Sequence, residues 1–169
     1  EMPKGRMPVE TRVFPESARG RVYRIVEEAV GKGRQAFIVY PLVEESEKLD
    51  LKDATQMAAH LQRDIFPNLR IGLLHGRMKS EEKESIMMGF KERKVDVLVA
   101  TTVIEVGIDI PNASIMVIEH AERFGLSQLH QLRGRIGRGV HPSKCLLLAQ
   151  YRSSDEAKVR LKAMERTTD

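Results

Sequence analysis

Five short runs of this chain are apolar almost from end to end: 35–40, 70–74, 95–100, 114–118 and 144–150. A strand with one wet face alternates apolar and polar residues. These runs do not, so both of their faces must be covered. Between them lie segments with helical spacing. One runs from Ser17 to about Val30 and is closed by Gly31 and Gly33. Another runs from about Asp53 to Ile65, after a polar loop at 44–50, and stops at Pro67. A third, 80–90, turns Ile86, Met87 and Phe90 inward, and a fourth runs from Ser153 to about Met164. Strands alternating with helices predict an α/β three-layer sandwich around a mostly parallel central sheet. A shorter strand is expected at 12–14. Residues 1–11, with Pro3, Gly5 and Pro8, read as a linker, residues 12–152 as the domain, and 153–169 as a helix leading onward. The chain stops after Thr167-Thr168-Asp169 without a closing signal and reads as a piece of something longer.

Composition narrows the function classes. Of 169 residues, 41% are hydrophobic and 31% charged, with a formal net charge of +4. That balance permits a nucleic-acid or nucleotide partner. No apolar run approaches the roughly 20 residues that span a bilayer, so no membrane partner is expected. The single cysteine, Cys145, lies in an apolar run and reads as core filling, which suits a reducing, cytoplasmic compartment. The five histidines show no metal-ligand spacing, so no metal site is expected.

In an open parallel sheet, ligands gather beyond the carboxyl ends of the strands. The residues just after the expected strands are chemically rich: Tyr40-Pro41, then His75-Gly76-Arg77, then Thr101 and Thr102 through Gly107 and Asp109, then Glu119-His120 to Arg123. Threonine hydroxyls and the Gly76-Arg77 turn suit phosphate oxygens. Gly107 permits close backbone approach, and Asp109 suits a sugar hydroxyl. Further on, Gln128, Gln131, Arg135 and Arg138 are spaced three, four and three apart. On one helix they would form a stripe opposite Leu129, Leu132 and Ile136. Two always-charged guanidinium groups with glycines cleared around them, at Gly134 and Gly137, suit a polyphosphate. A disordered Gly/Arg-rich tail would lack the apolar stripe.

Two motifs are missing. No G-x-x-x-x-G-K-[ST] loop is present to wrap a nucleotide's phosphates, and no Asp-Glu pair follows an apolar strand. The chain carries groups able to stabilise a phosphoryl transfer but none to carry one out. A nucleic-acid-binding module without a nucleotide explains the charge and leaves the arginine spacing unexplained. A metabolic enzyme acting on a phosphorylated substrate lacks a base beside a nucleophile.

These residues resemble a known family. Thr101-Thr102 through Gly107-Ile108-Asp109 is similar to motif V of superfamily 2 helicases, and Gln131-Leu-Arg-Gly-Arg135-Ile-Gly-Arg138 to motif VI. Residues 37–41 and Leu74-His-Gly-Arg77 take the places of motifs IV and IVa. Their order matches the second RecA-like motor domain, a P-loop NTPase-like fold without the P-loop. The phrases Tyr40-Pro-Leu-Val-Glu-Glu-Ser46 and Ala121-Glu-Arg-Phe-Gly125 through Arg135 set the chain nearest to the RecG-type ATP-dependent DNA helicases. The transcription-repair coupling factors share motifs V and VI but are less similar at motif IV.

The resemblance implies an ATP-driven motor that remodels stalled replication forks and recombination junctions in DNA repair and recombination. ATP with Mg2+ would be bound mainly by a first RecA-like domain of the same full-length chain, and branched or forked DNA would be the partner. It implies that Arg138 is the arginine finger with Arg135 beside it. Gln131, Gly107 and Asp109 would serve the nucleotide, and Thr101, Thr102, Gly76 and Arg77 the DNA backbone. A fragment without the phosphate loop is expected to be inactive alone.

Overall fold

The computed structural model describes residues 8–41, 47–101, 110–150 and 154–167, with residues 47–52 as backbone only. Among these residues six strands form one sheet: β1 (Val9–Pro15), β2 (Gln35–Tyr40), β3 (Ile71–Leu74), β4 (Val97–Thr101), β5 (Ala113–Ile118) and β6 (Ser143–Ala149). Their order across the sheet is β1-β6-β5-β2-β4-β3, and every pairing is parallel. The mostly parallel sheet expected from sequence is therefore wholly parallel among the described residues. Among the described residues five α-helices cover it: α1 (Arg19–Gly31), α2 (Glu47–His60), α3 (Ser80–Lys91), α4 (Leu126–Arg133) and α5 (Asp155–Arg166).

The apolar runs are two interleaved stripes. Ala36 and Ile38, Val97 and Val99, Ile115 and Val117, and Leu146 and Leu148 pack on Val22, Val26 and Leu61, the side of α1 and α2. Their neighbours Phe37 and Val39, Leu98 and Ala100, Met116 and Ile118, and Cys145 and Leu147 pack on Met87, Phe90, Leu129, Leu132, Leu161 and Met164, the side of α3, α4 and α5. Successive strand residues point to opposite faces, so a strand buried on both sides needs no polar position. This gives three layers. Cys145 is fully buried, as expected.

Several boundaries move. β1 begins at Val9, with Val9 and Thr11 buried, so residues 9–11 belong to the sheet rather than to a linker. Pairing along the whole of β6, from Val9↔Ser143 to Pro15↔Ala149, recruits them. Ser17 does not cap α1; it lies in a 3-10 turn, Glu16–Ala18, and α1 starts after it without a side-chain cap. α2 begins at Glu47, inside the stretch expected as a polar loop, and continues into a π-helical turn at Leu61–Ile65. α5 is capped by Ser154, whose hydroxyl accepts from Ala157 N–H at 3.1 Å.

Candidate functional site

Because every strand runs the same way, all six carboxyl ends lie on one edge. From β2 the chain goes out to the edge strand β3 and back to β4 on one side, then to β5 and β6 on the other. Ligands favour the crevice where such a sheet reverses direction. At that place a cleft of about 180 Å³ is lined by Tyr40 and Pro41 after β2, Thr101 ending β4, His120 and Arg123 after β5, and Asp53, Ala54 and Met57 of α2.

Three polar atoms on this cleft are buried without a hydrogen-bond partner: Tyr40 Oη, Thr101 Oγ1 and His120 Nδ1. Thr101 is 2% exposed. A buried polar group left unpaired costs about 1–3 kcal/mol, and native structures seldom tolerate three together. Burial, reinforced by the charge of Glu119, pushes the Tyr40 hydroxyl well above its usual range, so it stays a neutral donor. His120 holds a left-handed backbone, φ 49°, which is uncommon for a side-chain-bearing residue. Its Nδ1 lies 3.8 Å from carboxylate oxygens of both Glu16 and Glu122.

Beside this cleft a wider groove is floored by a buried carboxylate. Glu119, 1% exposed, accepts from the Arg19 guanidinium and from Tyr23 Oη at 3.2 Å. The hydrogen bond to Glu119 pushes the Arg19 guanidinium above its ordinary value against the opposing effect of burial. Burial and then the Glu119 charge push Tyr23 up to about 12. Arg19 and Tyr23 sit four apart on α1, so one helical turn presents both to the end of β5. Sequence alone missed this pair. The available signal was an arginine at the start of a helix that follows an edge strand.

One strand over, His75 is buried and its Nδ1 accepts from Arg77 N–H at 3.1 Å, while Met78 N–H returns to His75 O at 3.0 Å. That tight turn places Gly76 half-buried and Arg77 exposed on the same edge as Thr101. Thr102, Gly107 and Asp109 lie outside the described residues.

The arginines sit elsewhere. The expected single helix through Arg138 ends at Arg133, so Arg135 and Arg138 do not share a helical stripe with Gln131. Gly134 and Gly137 explain the stop: the first closes the last turn, and the second adopts φ 83°, which helices exclude. Gln128, expected on the same stripe, folds back to accept from Gly125 N–H at 3.0 Å and closes the start of its own helix. Gln131 is exposed on α4. After Arg133 the chain turns to enter β6 at its first residue, and Gly139 abuts the carbonyl of Pro111, just before β5. Arg135, half-buried, and Arg138, exposed, therefore lie toward the edge where the strands begin, opposite Thr101 rather than beside it. Arg138 Nε donates to Gly134 O at 3.2 Å.

Arg133 is the arginine that sequence reading passed over. It is 1% exposed and donates to Thr11 Oγ1, to Met164 O and Thr167 O at the end of α5, and to Thr167 Oγ1. Its place on the Leu129/Leu132/Ile136 side of the pattern was the available signal. Among the described residues, no cluster of His, Cys, Asp and Glu can hold a metal ion, and no helix is long and apolar enough to cross a membrane.

Among the described residues, a parallel sheet covered by helices on both faces, with polar groups gathered on its carboxyl edge, is a RecA-like architecture. The chain belongs to the helicase conserved C-terminal domain family, whose model matches residues 19–140. Over its full length it is 53% identical to the ATP-dependent DNA helicase RecG of Synechocystis sp. and 46% identical to that of Escherichia coli. It spans 20% and 24% of those proteins. It is also similar to a solved structure of RecG bound to a three-way DNA junction, with a TM-score of 0.84 and 47% identity over all of this chain and 22% of that one. The yeast DEAD-box splicing factor Prp28 shares the fold, with a TM-score of 0.72 at 20% identity over 97% of this chain and 34% of that one.

Proposed function

We propose that this chain is the second motor domain of a RecG-type ATP-dependent DNA helicase. The observation that carries the reading is its likeness, over the whole chain, to RecG in a structure that holds a DNA junction. In that role the domain works against a first RecA-like domain of the same protein, in the cytoplasm, on branched DNA arising in repair and recombination.

The donor set fits a triphosphate. Arg135 and Arg138 offer planar, permanently charged forks, and Gly137 and Gly139 keep side chains away from the turn that carries them. Gln131, Gly107 and Asp109 would serve the same nucleotide. ATP with Mg2+, held mainly by the first domain, supplies the phosphoanhydride bond. This chain's guanidinium groups place positive charge where negative charge grows during transfer, an effect worth roughly 10³–10⁵ in rate. The carboxyl edge serves the DNA. Tyr40, Thr101, His120 and Arg123 line a cleft where phosphate oxygens would accept the unspent hydrogen bonds, and Thr102, Gly76 and Arg77 would serve the same backbone. Gripping the backbone rather than the bases makes such a motor indifferent to sequence and sensitive to salt.

In the full-length protein, Arg138→Ala should leave ATP binding nearly intact and cut hydrolysis at least a hundredfold. Wild-type turnover in that variant removes the arginine from the reaction. The chain by itself should hydrolyse no ATP. A binding module without a nucleotide role predicts that Arg138→Ala changes only DNA affinity.

A further inference from the structure

The segment from Gly134 to Pro142 carries both arginines and is not a helix, so something else must fix it. Ile136 is fully buried and anchors its middle. Gly139 fits against the Pro111 carbonyl so closely that an added Cβ would sit 2.3 Å from that oxygen. The far end is held by a side chain: Arg34 Nη2 lies 2.8 Å from His141 Nδ1. Arg34 leaves the turn between α1 and β2, and that turn is itself fastened. Gly33 takes φ 87°, Arg34 N–H donates to Ala29 O at 3.0 Å, and the Asn112 amide donates to Gly33 O at 3.0 Å.

The chemistry of this contact permits one arrangement. A guanidinium has hydrogens on every nitrogen and no lone pair to offer. The hydrogen must therefore run from Arg34 to His141, so Nδ1 is bare, the ring proton sits on Nε2 and the imidazole is neutral. A second proton from solvent onto Nδ1 removes the acceptor and sets two cations face to face. Among the described residues no ion pair joins a carboxylate to the His141 ring, and the Arg34 guanidinium is the cation against its Nδ1.

We propose that His141 is a positioning residue: as the neutral acceptor for Arg34 it holds the Arg135–Arg138 segment in place, and its protonation lets that segment go. The inference rests on the reading that these arginines serve a triphosphate. It adds a pH-sensitive tether that lies outside motif VI.

The test uses the full-length protein with DNA present and measures ATP turnover from pH 8 to pH 5.5, a span in which imidazoles titrate. His141→Asn supplies a carbonyl oxygen that accepts from Arg34 and does not titrate. It should match wild-type kcat at pH 8 within about twofold and lose far less on acidification. His141→Leu supplies no acceptor and should lower kcat about tenfold at pH 8 while leaving KM for ATP unchanged. With 15N-labelled histidine, the ring signal lost in His141→Asn should report the Nε2–H tautomer at pH 8. A leucine variant equal to wild type, an asparagine variant with the wild-type acid loss, or an Nδ1–H tautomer overturns the proposal. Should the leucine variant not fold, the asparagine profile and the tautomer decide. Arg138→Ala is run alongside: full turnover there fails the nucleotide reading itself, whereas its loss together with an indifferent His141 fails only the tether.

Discussion

Thr101→Val tests stability and the proposed DNA contact in one substitution. The two side chains have nearly the same volume, and Thr101 closes β4 between β2 and β3 with 2% of its surface exposed. Its hydroxyl has no hydrogen-bond partner. An unpaired buried hydroxyl costs about 1–3 kcal/mol, and valine removes that cost while keeping the β-branched shape that strands favour. The chain should gain about 1 kcal/mol, which for 150–250 residues raises Tm by about 2–4 °C. The opposite effect should appear with DNA. A hydroxyl donating to a charged phosphate contributes about 1.5–3 kcal/mol. Its loss should weaken DNA binding by the full-length protein about tenfold or more, since 1.4 kcal/mol is one decade. Thermal unfolding of the chain and DNA titration at fixed salt read the two effects.

The two readouts fail separately. A variant that is destabilised shows that the hydroxyl already has a partner in the native state, and the orphan argument falls. A variant that is stabilised yet binds DNA as wild type does shows that the cleft belongs to something other than DNA. Only a gain in one with a loss in the other supports the site, because a purely structural threonine has no reason to be worse than valine.

Arg133→Met should destabilise the chain by about 3 kcal/mol, since the carbonyls of Met164 and Thr167 and the Thr11 hydroxyl lose their donor; urea unfolding with a loss below about 1 kcal/mol would show that α5 does not depend on this arginine. Burial pushes the Cys145 thiol up to about 12, against the opposing charge of Arg133, so at pH 8 it should resist alkylation until the chain unfolds; labelling of the native protein at the rate of free cysteine would contradict its burial. Burial works to raise the Asp96 carboxyl, but the guanidinium and backbone N–H of Arg70 outweigh it and hold it below its ordinary value. A depressed carboxyl gives stability above its unfolded value and loses it as pH falls through the folded one. Asp96→Asn should therefore flatten the acid side of the stability curve below about pH 4, and a curve parallel to wild type would remove Asp96 from acid unfolding.

How much of this was legible depends on which physics each feature obeys. The sheet was readable because a strand covered on both faces has no polar residue to confuse the pattern: β2 was placed residue for residue, and Ile115 to Ile118 fell inside β5. Residues 9–11 were not, because Glu10 and Arg12 give an alternating edge strand whose place is set by a partner more than 130 residues away, Ser143 to Leu146. The arginine turn was misjudged for a related reason. Spacing of three and four suits a helix whatever the residues are, but Gly137 can take a positive φ, and once it does the register beyond it carries no meaning. The cleft was legible only as a row of loop residues. That Tyr40, Thr101 and His120 converge is a property of strand order, which brings β2 between β4 and β5, and no local pattern encodes that order.

Strand order also settles how the two candidate sites relate. Ligand groups reached from the carboxyl ends cannot touch a turn that lies where β5 and β6 begin, since the length of the sheet stands between them. Yet the two edges share one stretch of chain. It leaves β4 at Thr101, on the cleft, and is back in the described structure at Ile110 and Pro111, against Gly139 of the arginine turn. Ile110 is buried in the α3–α5 core with Ile136, so the two segments are packed together at that end. Any displacement of the turn must move Pro111 or open a gap beside it, because a carbonyl already in contact leaves no slack. The chain that begins at the cleft thus ends against the arginines. α4 joins the same two ends a second way, since it runs from just after Arg123 on the cleft to just before Arg135 in the turn.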